Sequence, residues 1–118
     1  MKRTINKTYH VLIVDDEPLI LHLLRNALKD ISETDDYINF KITSVTNSDD
    51  ARFEVRKAIN SNPFDFVLLD ISIPCSSDNL ILSGEDLGVE INGFFPDVKI
   101  IVLTNHSDNF RLNNILKS

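Results

Sequence analysis

Three apolar runs, each closing on a polar group, constrain this chain more than any other feature. Phe64-Asp65-Phe66-Val67-Leu68-Leu69-Asp70 holds four consecutive apolar residues between two aspartates, and Ile71-Ser72-Ile73-Pro74 follows where the chain must turn. Val11-Leu12-Ile13-Val14 ends in the same way on Asp15-Asp16-Glu17, and Val98-Lys99-Ile100-Ile101-Val102-Leu103 ends on Thr104-Asn105. Short unbroken apolar runs bounded by turn formers read as strands buried on both faces. In each run the polar group comes last, at the C-terminal end of the strand.

Between these runs the periodicity becomes helical. Pro18 stands where a first helical turn has no use for an N–H. Leu19, Ile20, Leu23, Leu24, Ala27, Leu28 and Ile31 then recur at helical spacing, which predicts a helix to about Asp30. Phe40 to Val45 alternates like a strand with one wetter face. Ser48, ahead of Asp49 and Asp50, opens a second helix that runs to Asn60 and is stopped by Asn62-Pro63. A long loop from Ser72 to Ser83 precedes a third helix, opened by Ser83-Gly84-Glu85-Asp86 and closed by Asn92-Gly93. Ser107-Asp108 can cap a last helix, with Phe110, Leu112, Ile115 and Leu116 on its apolar side. The order βαβαβαβα predicts an α/β domain, a parallel sheet with right-handed crossovers and helices on both faces.

In such sheets ligands bind beyond the C-terminal strand ends, where the strand order reverses. With the first strand between the second and third, that point falls between the first and third strands. A strand spacing of roughly 4.8 Å then puts Asp15 and Asp16 within a side chain's reach of Asp70, with Thr104 flanking them. Carboxylates gathered in one pocket repel, so at least one pKa rises unless a proton or cation intervenes. Mg²⁺ suits the set, because it takes one or two carboxylates, keeps waters and is completed by phosphate oxygens. One carboxylate is left as a nucleophile toward phosphorus, forming an aspartyl phosphate, and the Thr104 hydroxyl is placed to sense the transferred group. Taken singly, an Asp after a strand is ordinarily a turn or cap residue. The coincidence at three strand ends carries the reading. Asp49-Asp50 is ordinary helix-start chemistry and is assigned no function.

Composition excludes several classes. At 118 residues the chain is long enough for one domain, residues 1–118. A net charge of −6 argues against a nucleic-acid-binding surface, and Lys2, Arg3 and Lys7 make a short tail, not a patch. No apolar run approaches the roughly 20 residues of a membrane span, and no signal peptide opens the chain. The single Cys75 excludes an internal disulfide and a multi-Cys metal site, and reads as a loop thiol without a role. A reducing, cytoplasmic location is expected.

The chain resembles the receiver domain of two-component response regulators. The matching pieces are Val11 to Pro18, Val67 to Pro74, and Ile100 to Thr104. The resemblance implies a flavodoxin-like doubly wound sheet of order 2-1-3-4. It implies that Asp70 accepts a phosphoryl group from a sensor histidine kinase, that Asp15 and Asp16 hold Mg²⁺ together with Asp70 and the backbone carbonyl of Ser72, and that Thr104 is the switch hydroxyl. It also implies a signalling module, not a turnover enzyme, coupled to an effector domain such as a transcription regulator.

Three departures stand out. The family pattern continues to a fifth strand carrying a phosphate-contacting Lys and then a fifth helix, whereas this sequence ends at Lys117-Ser118. Neither Lys99, which begins a strand, nor Lys117 occupies that place. The loop from Cys75 to Ser83 is longer than usual, and Asn105 follows the switch Thr where a small residue is common. A fourth strand left at the edge, and a first helix short of a neighbour, predict self-association and a longer parent regulator. Two other readings remain open: a pseudo-receiver that binds partners without phosphotransfer, and a phosphatase using Asp70 as nucleophile. The second lacks the acid that such enzymes carry two residues on, where this chain has Ser72.

Overall fold

The apolar runs form the middle of a parallel sheet. The structure, a computed structural model, describes residues 7–78, 80 and 83–103. Strands β1 (Lys7–Val14), β2 (Ile38–Val45), β3 (Phe66–Asp70) and β4 (Lys99–Leu103) pair in the order β2-β1-β3-β4, all parallel, as the sequence predicts. Helices α1 (Pro18–Thr34), α2 (Ser48–Ile59) and α3 (Gly84–Phe94) are the crossovers. Val14 lies beside Leu69 and Asp70 beside Leu103, so β1, β3 and β4 end along one edge.

The sheet is covered unequally. On one face Leu12, Val14, Val67 and Leu69 pack with Ala51, Val55 and Ala58 of α2 and with Leu87 and Ile91 of α3. On the other, Val11, Ile13 and Leu68 meet the partly buried Leu21, Leu24 and Leu28 of α1. This is why the runs do not alternate: both faces of β1 and β3 lie against helices. Helix α1 has no fully buried residue, and Leu19 and Leu23 are 65% and 53% exposed.

Several boundaries differ from those read in the sequence. Helix α1 continues past Asp30 to Thr34, whose Oγ1 donates to the carbonyls of Asp30 and Ile31. Strand β2 begins at Ile38 instead of Phe40, because Lys7 N–H donates to Tyr37 O and pairs the two strands from their starts. The cap of α2 is Asn47, not Ser48: Asn47 Oδ1 accepts the Asp50 N–H at 2.8 Å. Ser48 is the first helical residue, and its buried hydroxyl donates to Pro74 O at 3.0 Å. Asn92-Gly93 does not close α3, which continues to Phe94 and delivers the buried Phe95 edge-on to Phe64 with ring centroids 6.1 Å apart. Ser83 caps α3 as expected, accepting the Asp86 N–H. The helix expected after Ser107 lies outside the described residues.

Candidate functional site

The site is built by two turns of the same kind. Asp15 N–H donates to Val45 O at 3.1 Å, which extends the β1–β2 ladder by one residue. The Asp15 side chain is thereby held inward, 5% exposed, and its Oδ1 accepts the Glu17 N–H at 2.9 Å. That i to i+2 bond turns the chain into α1, with Pro18 at its first position. On β3 the half-buried Asp70 repeats the device, its Oδ1 accepting the Ser72 N–H at 2.9 Å. Ile71 N–H continues the ladder to Leu103 O at 3.1 Å.

One carboxylate oxygen from each of Asp15, Asp16 and Asp70 lies within 4.8 Å of the others. They face a cleft of about 670 Å³ lined by Asp15, Asp16, Glu17, Ile20, Asp70, Ser72, Val102 and Leu103. The convergence expected of Asp15, Asp16 and Asp70 is therefore present, and Ser72 shares the cleft. Thr104, Asn105, His106 and Lys117 lie outside the described residues. Lys99 is paired with Phe66, at the opposite end of the β3–β4 ladder from Asp70 and Leu103. No Lys or Arg lines the cleft among the described residues. His10 is a structural bridge: buried, with Nδ1 2.7 Å from Asn62 O and its ring 4.0 Å from that of Phe64.

The donor set is made of hard carboxylate oxygens, which fits Mg²⁺ better than softer, nitrogen- or sulfur-seeking ions. Burial pushes the Asp15 carboxyl above its usual value; the Glu17 N–H opposes this, and the charges of Asp70, Asp16 and Glu17 add to it. A carboxyl raised on folding binds its proton more tightly in the folded state. Ionised Asp15 therefore lowers stability at neutral pH, and the deficit disappears as pH falls through the raised pKa toward the ordinary 3.8. Asp15→Asn keeps the acceptor for Glu17 and removes the charge. Without divalent cations at pH 7 it is expected to raise the thermal midpoint, by roughly 4–8 °C for each kcal/mol of the burial and repulsion penalty relieved, with the gap to wild type narrowing in acid. Melting curves across pH check this, and a lower midpoint for the variant at pH 7 would refute it.

Sequence reasoning missed the residues that hold the β3–α3 loop beside the site. Asp49, set aside as helix-start chemistry, accepts both the N–H and the hydroxyl of Ser77 at 3.2 Å. Arg52, buried in α2, reaches Asp78 and Glu90. No local signal marks these contacts, because they join segments far apart in the chain.

A doubly wound parallel sheet with acidic side chains converging beyond the ends of β1 and β3 defines a flavodoxin-like α/β domain of the receiver type. The model of the response regulator receiver domain matches residues 11–118, and the chain belongs to that family. Receiver domains are signalling domains of two-component systems. Among solved structures the chain is similar to a response regulator receiver domain protein from Clostridium thermocellum, with TM-score 0.71 and 26% identity over 92% of this chain and 75% of that one. It also shares the fold of a two component transcriptional regulator AraC from Clostridium phytofermentans ISDg, with TM-score 0.68 and 24% identity over 89% of this chain and 73% of that one. No curated protein matches the chain. Among the described residues no helix is long and apolar enough to cross a membrane.

Proposed function

We propose that this receiver domain is a phospho-accepting switch in which Asp70 takes the phosphoryl group of a sensor histidine kinase. The observation that carries the reading is the meeting of Asp15, Asp16 and Asp70 within 4.8 Å in a cleft open to an incoming phosphate. Asp15, Asp16, Asp70 and the Ser72 carbonyl would hold Mg²⁺, which when bound neutralises charge on the phosphoryl oxygens. An Asp70 carboxylate oxygen forms the new P–O bond as the P–N bond of the phosphohistidine breaks. The Ser72 N–H, already on Asp70 Oδ1, fixes the orientation of the carboxylate that would attack. Thr104, following β4, supplies the switch hydroxyl, and the added charge biases the surrounding loops toward a second state read by an effector domain. The module works in the cytoplasm, without turnover of its own.

The second reading is a pseudo-receiver that binds partners without phosphotransfer. Intact mass after incubation with acetyl phosphate and Mg²⁺ separates the two. A single phosphoryl adduct on the wild type supports the switch, while Mg²⁺ binding with no adduct supports the pseudo-receiver.

Self-association through α1 or the outer edge of β4 belongs to the same proposal. Its support is the exposure of Leu19, Leu23 and Ile31 on α1 and of Ile101 on β4. Sedimentation velocity over a hundredfold concentration range is expected to show a rising mean coefficient, and a constant monomer value would remove this part.

A further inference from the structure

Residues 71–83 separate β3 from α3, a length within the roughly 6–16 residues of an Ω-loop. Gly84 N–H closes the loop on Ile71 O at 3.2 Å. The path between is tied down at successive points leading away from Asp70. Ile73 N–H donates to Asp70 O at 3.3 Å, and Pro74 O accepts the buried Ser48 hydroxyl at 3.0 Å. Ser77 is held by Asp49 through its N–H and its hydroxyl. The tip is held by charge: Asp78 accepts from Arg52 Nη1 at 2.9 Å, from the Ser76 hydroxyl, and from Leu80 N–H at 3.0 Å. The same guanidinium donates Nε and Nη2 to the two Glu90 oxygens at 2.9 and 3.2 Å. Arg52 is 7% exposed, so a single buried cation fastens α2, α3 and the loop to one another. Ser76, Leu80 and Arg52 hold the Asp78 carboxyl well below the usual carboxylate range.

We propose that Arg52 is a positioning residue for the cation site, its clasp on Asp78 and Glu90 fixing the loop that presents Ser72 beside Asp70. The inference rests on the Mg²⁺ reading above and adds the support that keeps Ser72 in place. Ser72 is pinned at its own end of the loop by Asp70 Oδ1 and by the Ile73 N–H on Asp70 O, and without the clasp the rest of the loop would pull on that end and leave the cation to order it on binding. An anchored loop has already met that cost, which is how outer contacts of a metal site raise affinity.

The test is calorimetric Mg²⁺ titration of the wild type, Arg52→Met, Arg52→Lys and Asp78→Asn, together with hydrogen exchange at the amides of Ser77 and Leu80. Removing a positive charge near an acidic site would by itself tighten Mg²⁺. The clasp predicts the opposite sign: Arg52→Met binds roughly tenfold more weakly, the low end of the loss typical for outer contacts of a metal site, and both amides exchange faster. Arg52→Lys recovers part of each. Unchanged or tighter binding by folded Arg52→Met overturns the proposal. If that variant does not fold, Asp78→Asn decides, with Asp50→Asn as the baseline for losing one acidic charge without touching the loop. Weakening no greater than that baseline overturns the proposal. A wild type that takes up no Mg²⁺ overturns the cation reading itself, and the positioning role with it. A wild type that binds, alongside unaltered variants, overturns the positioning role alone.

Discussion

Asp70→Asn is expected to abolish phosphoryl uptake, leaving its intact mass unchanged under conditions that give a single adduct on the wild type. The amide keeps an oxygen for the Ser72 N–H, so the turn beyond β3 survives and the loss is chemical, not structural. A carboxamide has no anionic oxygen to attack phosphorus, so the expected effect is complete loss and not a graded one. Charge supplies a second signature. The variant removes one of the neighbours that push the Asp15 proton affinity up, so Asp15 should titrate lower in Asp70→Asn than in the wild type. An adduct of equal yield on the variant would move the acceptor to another residue and end the Asp70 assignment.

Gly84→Ala is expected to be the most damaging small substitution. A Cβ at this position would lie 2.5 Å from Asp70 O, 2.7 Å from Ile71 Cα and 2.9 Å from Ile71 O. All three are backbone atoms at the end of β3, so no side chain can swing aside. The methyl must push α3 away from the strand that carries the proposed acceptor. Overpacking in a rigid environment costs about 1–3 kcal/mol and sometimes more, and contact with backbone places this case at the upper end. The thermal midpoint should fall by roughly 10 °C or more, and the Gly84 N–H to Ile71 O bond that closes the loop should be lost. Thermal denaturation with and without Mg²⁺ measures both the stability and the site. A midpoint within a degree of the wild type would mean that α3 moves off β3 at little cost and would refute the tight fit at Gly84.

The sheet and the acidic cluster were legible because one physical fact produces both. A strand buried on two faces must be apolar throughout, and the first polar residue after it marks where the chain meets solvent. Asp15 and Asp70 are those residues, so the apolar runs located the strands and the cluster together. The alternation of elements predicts parallel strands and right-handed crossovers, while the order across the sheet came from the resemblance to receiver domains. What stayed hidden depended on tertiary competition. Asn47 and Ser48 are adjacent residues of equal capping ability, and the choice between them falls to Pro74, whose carbonyl takes the Ser48 hydroxyl and leaves Asn47 to cap. Asn92-Gly93 is a strong local stop, overridden by the burial of Phe95 against Phe64. The anchors of the long loop after Asp70 are invisible in the sequence because the contacts of Arg52 with Asp78 and Glu90 span 26 and 38 positions and leave no periodic trace.

The unequal cover of the sheet also bears on how the molecule breathes. On the α2–α3 side, releasing a helix exposes residues such as Val55, Leu87 and Ile91 that are at most 1% accessible, so opening there approaches global unfolding. Helix α1 buries none of its residues fully and touches the sheet through Leu21, Leu24 and Leu28. Its detachment forfeits far less apolar contact, which makes it the natural low-energy opening unit of the described domain. Asp15 to Glu17 join that unit to β1, so two of the three clustered carboxylates stand at the boundary between the buried end of a strand and the helix with the least burial among those described. A ligand that fastens Asp15 and Asp16 to Asp70 would therefore do thermodynamic work on α1 as well, tying the less buried helix to the cooperative core.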